Sequence, residues 1–224
     1  MSFRIHPRRG DIDPVWIERF QALPVSTISD SMERLHGVGT PLRAMHGGGR
    51  MVGHAFTVKT RPGDNLIVHK ALDLAAPGDV VVVDAGGALE NAIIGELMAA
   101  HGERRGLAGI VIHGAIRDSD ELRRGTFPVF AAGVTHRGPY KDGPGAINVP
   151  IAIAGLPIAP GDLVCGDSDG LLVIPPSEIG PIHERAAQKL SAEQRMLEAI
   201  RAGADDRSWI DRALEAAGCD YCDT

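Results

Sequence analysis

Apolar residues in this chain fall in short runs separated by glycine, proline and aspartate. That punctuation predicts many short elements joined by tight turns. Near the start, Trp16, Ile17, Phe20 and Leu23 recur at helical spacing, and Thr27 with Asp30 marks a second helix ending near Gly37. Then His54–Thr60 reads as a strand, Leu66–Ala75 as a helix, and Val80–Asp84 as a buried strand entered through Pro77-Gly78-Asp79. Asn91–Arg104 reads as a helix and Ile110–His113 as another buried strand. This alternation predicts a parallel or mixed sheet with crossover helices. From Phe127 the rhythm shortens. Val129–Ala132, Ile147–Ala154, Leu156–Ile158, Leu163–Cys165 and Leu171–Ile174 have no room for helices between them, which predicts hairpins. Pro175, Pro176 and Ser177 open a helical tail, with Ile179, Ile182, Ala186, Leu190, Leu197 and Ile200 near a helical period and a last helix over Ser208–Ala217. The expected organisation is one α/β domain over residues 1–176 and a helical extension over 177–224.

Composition narrows the class of function. The 224 residues are 44% hydrophobic and 23% charged, enough for one substantial core. The net charge of -6 and the absence of any Lys/Arg run argue against nucleic acid as a partner. No stretch approaches the roughly 20 apolar residues of a membrane span, and the first ten residues lack an apolar segment, so a cytoplasmic location is expected. Cys165 ends an apolar run and reads as a core residue, whereas Cys219 and Cys222 form a lone CxxC that lacks the other half of a zinc site.

Several motifs have plain readings. Gly47-Gly48-Gly49 lacks the Lys-Ser/Thr of a phosphate loop and reads as a turn. Asp167-Ser168-Asp169-Gly170 resembles the start of a calcium loop, but Leu172 stands where a glycine turn is required, so a hairpin is expected. The nine histidines form no H-x-x-x-H pair on an expected helix. Lys59 is the one of four lysines placed in an expected strand, with nothing beside it that specifies Schiff-base chemistry.

Two segments carry candidate chemistry. Asp84-Ala85-Gly86-Gly87 through Gly95-Glu96-Leu97-Met98 runs from a strand end, through glycine-rich backbone, into a helix. Ligands of open α/β sheets sit beyond strand carboxyl ends, and helix-start N–H groups suit anions. The same residues equally suit an ordinary loop. Gly114-Ala115-Ile116-Arg117-Asp118 offers a guanidinium fork for a carboxylate and a hard oxygen for a divalent cation. Asp118-Ser119-Asp120-Glu121 is also a passable helix-capping signature and Arg117 could be a surface residue, and on the residues alone that plain reading is the favoured one.

At these residues the chain resembles the family that contains class II 4-hydroxy-4-methyl-2-oxoglutarate aldolases and the regulator of ribonuclease activity A (RraA). The pieces, in order from about Thr27 to Ile174, are GHAFTV, RPGDN, APGDVVVVDAGG, GELM, GLAGIVIHGAIRD, FPVFAAG, INVP and PGDLVCGDSDGLLVIP. The resemblance implies a swivelling β/β/α domain, here followed by a C-terminal helical extension, assembled as homotrimers or homohexamers. It implies that backbone N–H groups of Gly95, Glu96, Leu97 and Met98 hold a substrate carboxylate. Arg117 would contact the pyruvyl oxygens as the catalytic residue, and Asp118 would ligate Mg²⁺ or Mn²⁺. Relatives often carry Asp where this chain has His113, which changes the charge of that strand.

With those roles, the expected activity is divalent-metal-dependent cleavage of 4-hydroxy-2-oxo acids to pyruvate by a retro-aldol reaction. Oxaloacetate decarboxylation would proceed through the same enolate, stabilised by the cation and Arg117. No side chain is assigned as the base, and a water is expected in that role. The rival expectation is an RraA-type protein inhibitor of ribonuclease E, and the tail beyond Ser177 favours the enzyme.

Overall fold

A computed structural model describes residues 2–33 and 41–220, with the backbone of 37–38. Strand β1 (Arg4–Ile5) precedes helices α1 (Pro14–Gln21) and α2 (Val25–Asp30). Asp13 caps α1 by accepting from the Val15 amide at 3.0 Å, and Pro14 occupies the first turn, where a missing N–H costs nothing. Helix α2 starts two residues before the expected Thr27 and ends at Asp30, and Gly37 lies in strand β2 (Gly37–Val38). Pro24 opens this helix, so Thr27 is buried inside it and does not cap it.

Next come β3 (Arg43–Ala44), β4 (Met51–Thr60), α3 (Leu66–Leu74) and β5 (Asp79–Asp84). The expected helix over Asn91–Arg104 divides into strand β6 (Ala92–Ile94) and helix α4 (Glu96–Arg104). Ala92 to Ile94 complete a parallel pairing with β7 (Gly109–Ile116), and that ladder overrides the helical reading of those residues. Helix α5 (Ser119–Arg124) and β8 (Val129–Val134) follow. The single expected strand over Ile147–Ala154 is two, β9 (Gly145–Ile147) and β10 (Ile151–Ile153), divided at Asn148 with its left-handed φ of 55° and at Pro150. Strands β11 (Leu156–Ile158), β12 (Leu163–Asp167) and β13 (Gly170–Ile174) precede one 3₁₀ turn, then α6 (Ile179–Arg201) and α7 (Ser208–Ala216).

Among the described residues the main sheet runs β2-β13-β12-β4-β5-β7-β8-β3. Its centre, β4-β5-β7-β8, is parallel and its flanks are antiparallel. Helices α3, α4 and α5 are the crossovers between parallel strands. Alternate side chains divide two cores. Val81, Val83, Ile110 and Ile112 face α3 and α4, while Val80, Val82 and Val111 face the hairpin β10–β11. That arrangement is the β/β/α layering. Valines 80–83 are buried on both faces, as central parallel strands require, each contributing about 1.5–3 kcal/mol.

The turn at Asp167–Gly170 is a hairpin, as expected. Asp167 is spent on backbone, with Oδ1 accepting from Asp169 N at 3.0 Å and Oδ2 from Val25 N at 2.9 Å. Cys165 is buried among apolar neighbours, which pushes its thiol pKa up. By compactness the chain divides after Ala186, within α6. Ile179, Ile182 and Ala186 are buried in the first unit. In the second, Met196, Leu197, Ile200, Trp209 and Leu214 are exposed. No helix among the described residues is long and apolar enough to cross a membrane.

Candidate active site

The site is built from the loop that joins β6 to α4. Arg117 N–H donates to Ile94 O at 3.0 Å, which extends the β6–β7 pairing and lays Gly95 against Arg117 and Asp118. The Gly95 backbone is extended (φ −144°, ψ −165°), a conformation open to any residue. What requires glycine is space. A Cβ at this position would stand 2.9 Å from Arg117 Cγ and would overlap Asp118 Oδ2.

Asp118 sits in the left-handed region (φ 56°, ψ 40°), which Asp and Asn tolerate better than most residues. Its side chain makes no capping bond to α5. Instead Oδ2 accepts from Glu96 N–H at 3.1 Å and stands 3.7 Å from Arg117 Nε. Asp118 therefore starts α5 through its backbone, and its side chain is turned away from capping. A carboxylate at the start of α4 is favoured by the helix dipole, and the amides of Leu97 and Met98 are first-turn donors without an intrahelical acceptor. The six residues expected at the site thus come together from two chain segments. Of these, Gly95, Leu97, Met98, Arg117 and Asp118 border a cavity of about 200 Å³, whereas Glu96 is not part of its lining and joins the group only through its amide bond to Asp118.

The rest of the lining includes residues that sequence reasoning missed. Asn65 is buried, and its Nδ2 donates to Ile93 O at 2.8 Å, which ties the start of α3 to β6. Its Oδ1 accepts from Lys141 Nζ at 3.0 Å, and Nζ lies 3.4 Å from His69 Nε2. Burial, and then the Lys141 charge, lower the His69 pKa, so the neutral ring is the form that faces the ammonium. Lys141 stands 76 residues from Asn65 in the chain, so only tertiary folding pairs them. The one local signal was the RPGDN piece itself, whose asparagine follows the end of β4.

The other half of the first candidate segment does not reach this cavity. Asp84 lies 3.3 Å from Lys59 Nζ and 3.5 Å from His113 Nδ1. These three stand in register across β4, β5 and β7. His113 therefore belongs to this row and not to the wall of the cavity. Among the described residues no group of three or more His, Cys, Asp or Glu side chains could hold a metal ion. Asp118 with water still fits a hard divalent cation that retains much of its hydration shell, and Asp118 is the carboxylate on the cavity wall.

Fold and site together define a layered α/β domain in which a helix start, a guanidinium and a carboxylate border one small cavity. The chain matches the family model RraA-like, described as Aldolase/RraA, over residues 25–173, and it belongs to that family. It is 38% identical over 192 residues to a Halalkalibacterium halodurans protein named "Putative 4-hydroxy-4-methyl-2-oxoglutarate aldolase", covering 86% of this chain and 90% of that one. A solved uncharacterized protein from Pseudomonas syringae pv. tomato superposes with a TM-score of 0.79 at 27% identity, over 88% of this chain and 97% of that one. Streptomyces coelicolor RraAS2, titled an unusual member of the RNase ES inhibitor RraA protein family, superposes with a TM-score of 0.75 at 28% identity, over 83% and 97%.

Proposed function

We propose that this protein is a divalent-metal-dependent lyase that cleaves 4-hydroxy-2-oxo acids to pyruvate, and that it also decarboxylates oxaloacetate. The observation that carries the reading is the convergence of the α4 amides, Arg117 and Asp118 on one small cavity, with Lys141 also in its lining. At about 200 Å³ the cavity lies below the range of about 300–1,000 Å³ usual for drug-sized ligands, which favours a small oxo acid. The aldolase names carried by the relatives support the same class.

In this reading the first-turn amides of Leu97 and Met98 bind the substrate carboxylate. Arg117 donates to the 2-oxo oxygen. A base removes the C4 hydroxyl proton, the C3–C4 bond breaks, and its electron pair moves through C2 to that oxygen, giving pyruvate enolate and a carbonyl product. Arg117 stabilises the developing negative charge. Protonation at C3 completes pyruvate. When C4 is a carboxylate, carbon dioxide leaves and the same enolate forms. Asp118 would hold Mg²⁺ or Mn²⁺, which supplies Lewis acidity toward the substrate oxygens when bound. Lys141, held by Asn65, adds a second positive charge to the lining.

Leu97 is 80% exposed beside the cavity, so one chain leaves the mouth open. A second copy closing it, within a homotrimer or homohexamer, is part of the proposal. The test is pyruvate release from a panel of 4-hydroxy-2-oxo diacids and oxaloacetate. Activity is expected to vanish with chelator, return with Mg²⁺ or Mn²⁺, and be lost in Asp118→Ala at unchanged thermal stability. Full activity in excess chelator refutes the reading, and no pyruvate from any substrate, with inhibition of ribonuclease E instead, favours the RraA-type inhibitor.

A further inference from the structure

A second cavity, of about 680 Å³, opens at the carboxyl end of β4, where β9 and β1 run beside it. Its volume falls within the range of about 300–1,000 Å³ common to small-molecule sites. Arg4, Lys59 and Arg61 line it, with no acidic residue among the lining side chains. The remaining surface, including Pro144 and Ala146, is mostly carbon. Lys59 leans on Asp84 at 3.3 Å, and Arg61 on Asp64 at 3.3 Å and Asp142 at 3.6 Å. Arg4 is exposed and has no ion-pair partner among the described residues.

We propose that this groove binds an organic carboxylate with an apolar body, and that its occupancy is felt by the loop that presents Lys141. Three cations around one concavity favour an anion and repel a cation. A mostly carbon lining favours a ligand with an apolar body, because a bare inorganic ion would leave that surface wet. Arg4 supplies the uncompensated charge that such a ligand would neutralise.

The link to the loop is a short chain of contacts. Asp64 is fully buried, and its Oδ2 accepts from Asp142 N at 2.7 Å and Gly143 N at 2.8 Å. The same oxygen receives Arg61 NH2 at 3.3 Å. Arg61 bridges Asp64 and the Asp142 side chain, so a carboxylate in the groove that draws Arg61 away removes one of the two ties on the Asp142–Gly143 segment, next to Lys141 on the wall of the smaller cavity. Neither half of this proposal depends on the lyase reading, since the readouts are binding and amide exchange.

The experiment titrates the full chain with 2-naphthoate, followed by fluorescence anisotropy, with hydrogen exchange measured at the Asp142 and Gly143 amides. Saturable binding at one site per chain is expected, weakened by about fivefold in Arg4→Ala and in Lys59→Ala, the upper end for exposed charge pairs. Lys59→Arg should retain it. Neutral 2-naphthamide and acetate, which lacks the apolar body, should each bind far more weakly. Saturation should speed exchange at both amides, and Arg61→Ala should speed it without ligand. Equal binding of the amide or of acetate, or binding unchanged in both alanine variants, overturns the site. Saturation with no change in exchange overturns the link to the loop.

Discussion

Gly95→Ala separates the stability of the fold from the geometry of the site. The Gly95 backbone is extended, so alanine meets no conformational penalty and gains about 0.4–1 kcal/mol from a less flexible unfolded chain. Against this, the new methyl overlaps Asp118 Oδ2 and presses on Arg117 Cγ. Overpacking of that kind costs about 1–3 kcal/mol in a closed core. Here the Asp118 and Arg117 side chains are 38% and 45% exposed and can swing toward solvent, which places the cost at the low end. The net is about 0–1 kcal/mol, a drop in Tm of at most a few degrees for a chain of this size. Turnover should suffer much more, because the escape route displaces the two groups that hold substrate and cation. Misplacement by about 1 Å costs on the order of 10²-fold in rate. Gly53→Ala is the control. Its methyl would meet the Gly78 carbonyl oxygen at 2.5 Å, Ala108 Cβ at 2.8 Å and Val80 Cγ2 at 2.9 Å, and a backbone carbonyl cannot swing aside as a side chain can. That variant should lose more stability while its folded fraction keeps its turnover. Pyruvate release coupled to lactate dehydrogenase reads activity, and scanning calorimetry reads Tm. If Gly95→Ala turns over within about twofold of wild type, or loses as much stability as Gly53→Ala, the close-approach argument fails.

Arg117→Ala should lower turnover by on the order of 10²–10³-fold, with little recovery in Arg117→Lys, because an ammonium cannot reproduce a two-pronged contact; near wild-type kinetics would make Arg117 a bystander. His54 is buried beside Asp79, and burial, then the Arg8 charge, lower its pKa below the usual 6.5. A depressed histidine costs nothing above its unfolded value, so its penalty grows as pH falls through about 6.5 toward the depressed value, where the unfolded chain takes up a proton that the native chain refuses. His54→Gln should therefore shrink the fall in urea midpoint between about pH 7 and pH 5, leaving the part due to His69 and His183, which are shifted the same way; an undiminished fall refutes it. Light scattering should give at least three times the 23.7 kDa chain mass, and truncation after Ala186 should weaken both assembly and pyruvate release; a fully active monomer would remove the shared-mouth idea.

Local pattern was enough to determine most of the fold. The buried strands β5 and β7, the crossover helix α3 and the hairpin β12–β13 follow from short apolar runs and from turns such as Pro77-Gly78-Asp79, because period and punctuation are properties of neighbours in the chain. The candidate site was half legible for the same reason. Gly95–Met98 and Arg117–Asp118 are contiguous pieces, and the resemblance marked both. What local pattern misjudged was decided by partners distant in sequence. Ala92–Ile94 became a strand because β7 offered an open ladder, and Asp118 turned from capping its own helix to the amide of Glu96, 22 residues away. Lys141 entered the site only through its bond to Asn65. His113 joins the Lys59–Asp84 row through strand register alone. A hydrogen bond across 76 residues leaves no periodicity in the chain, so its partners become visible only when the sheet brings them within reach.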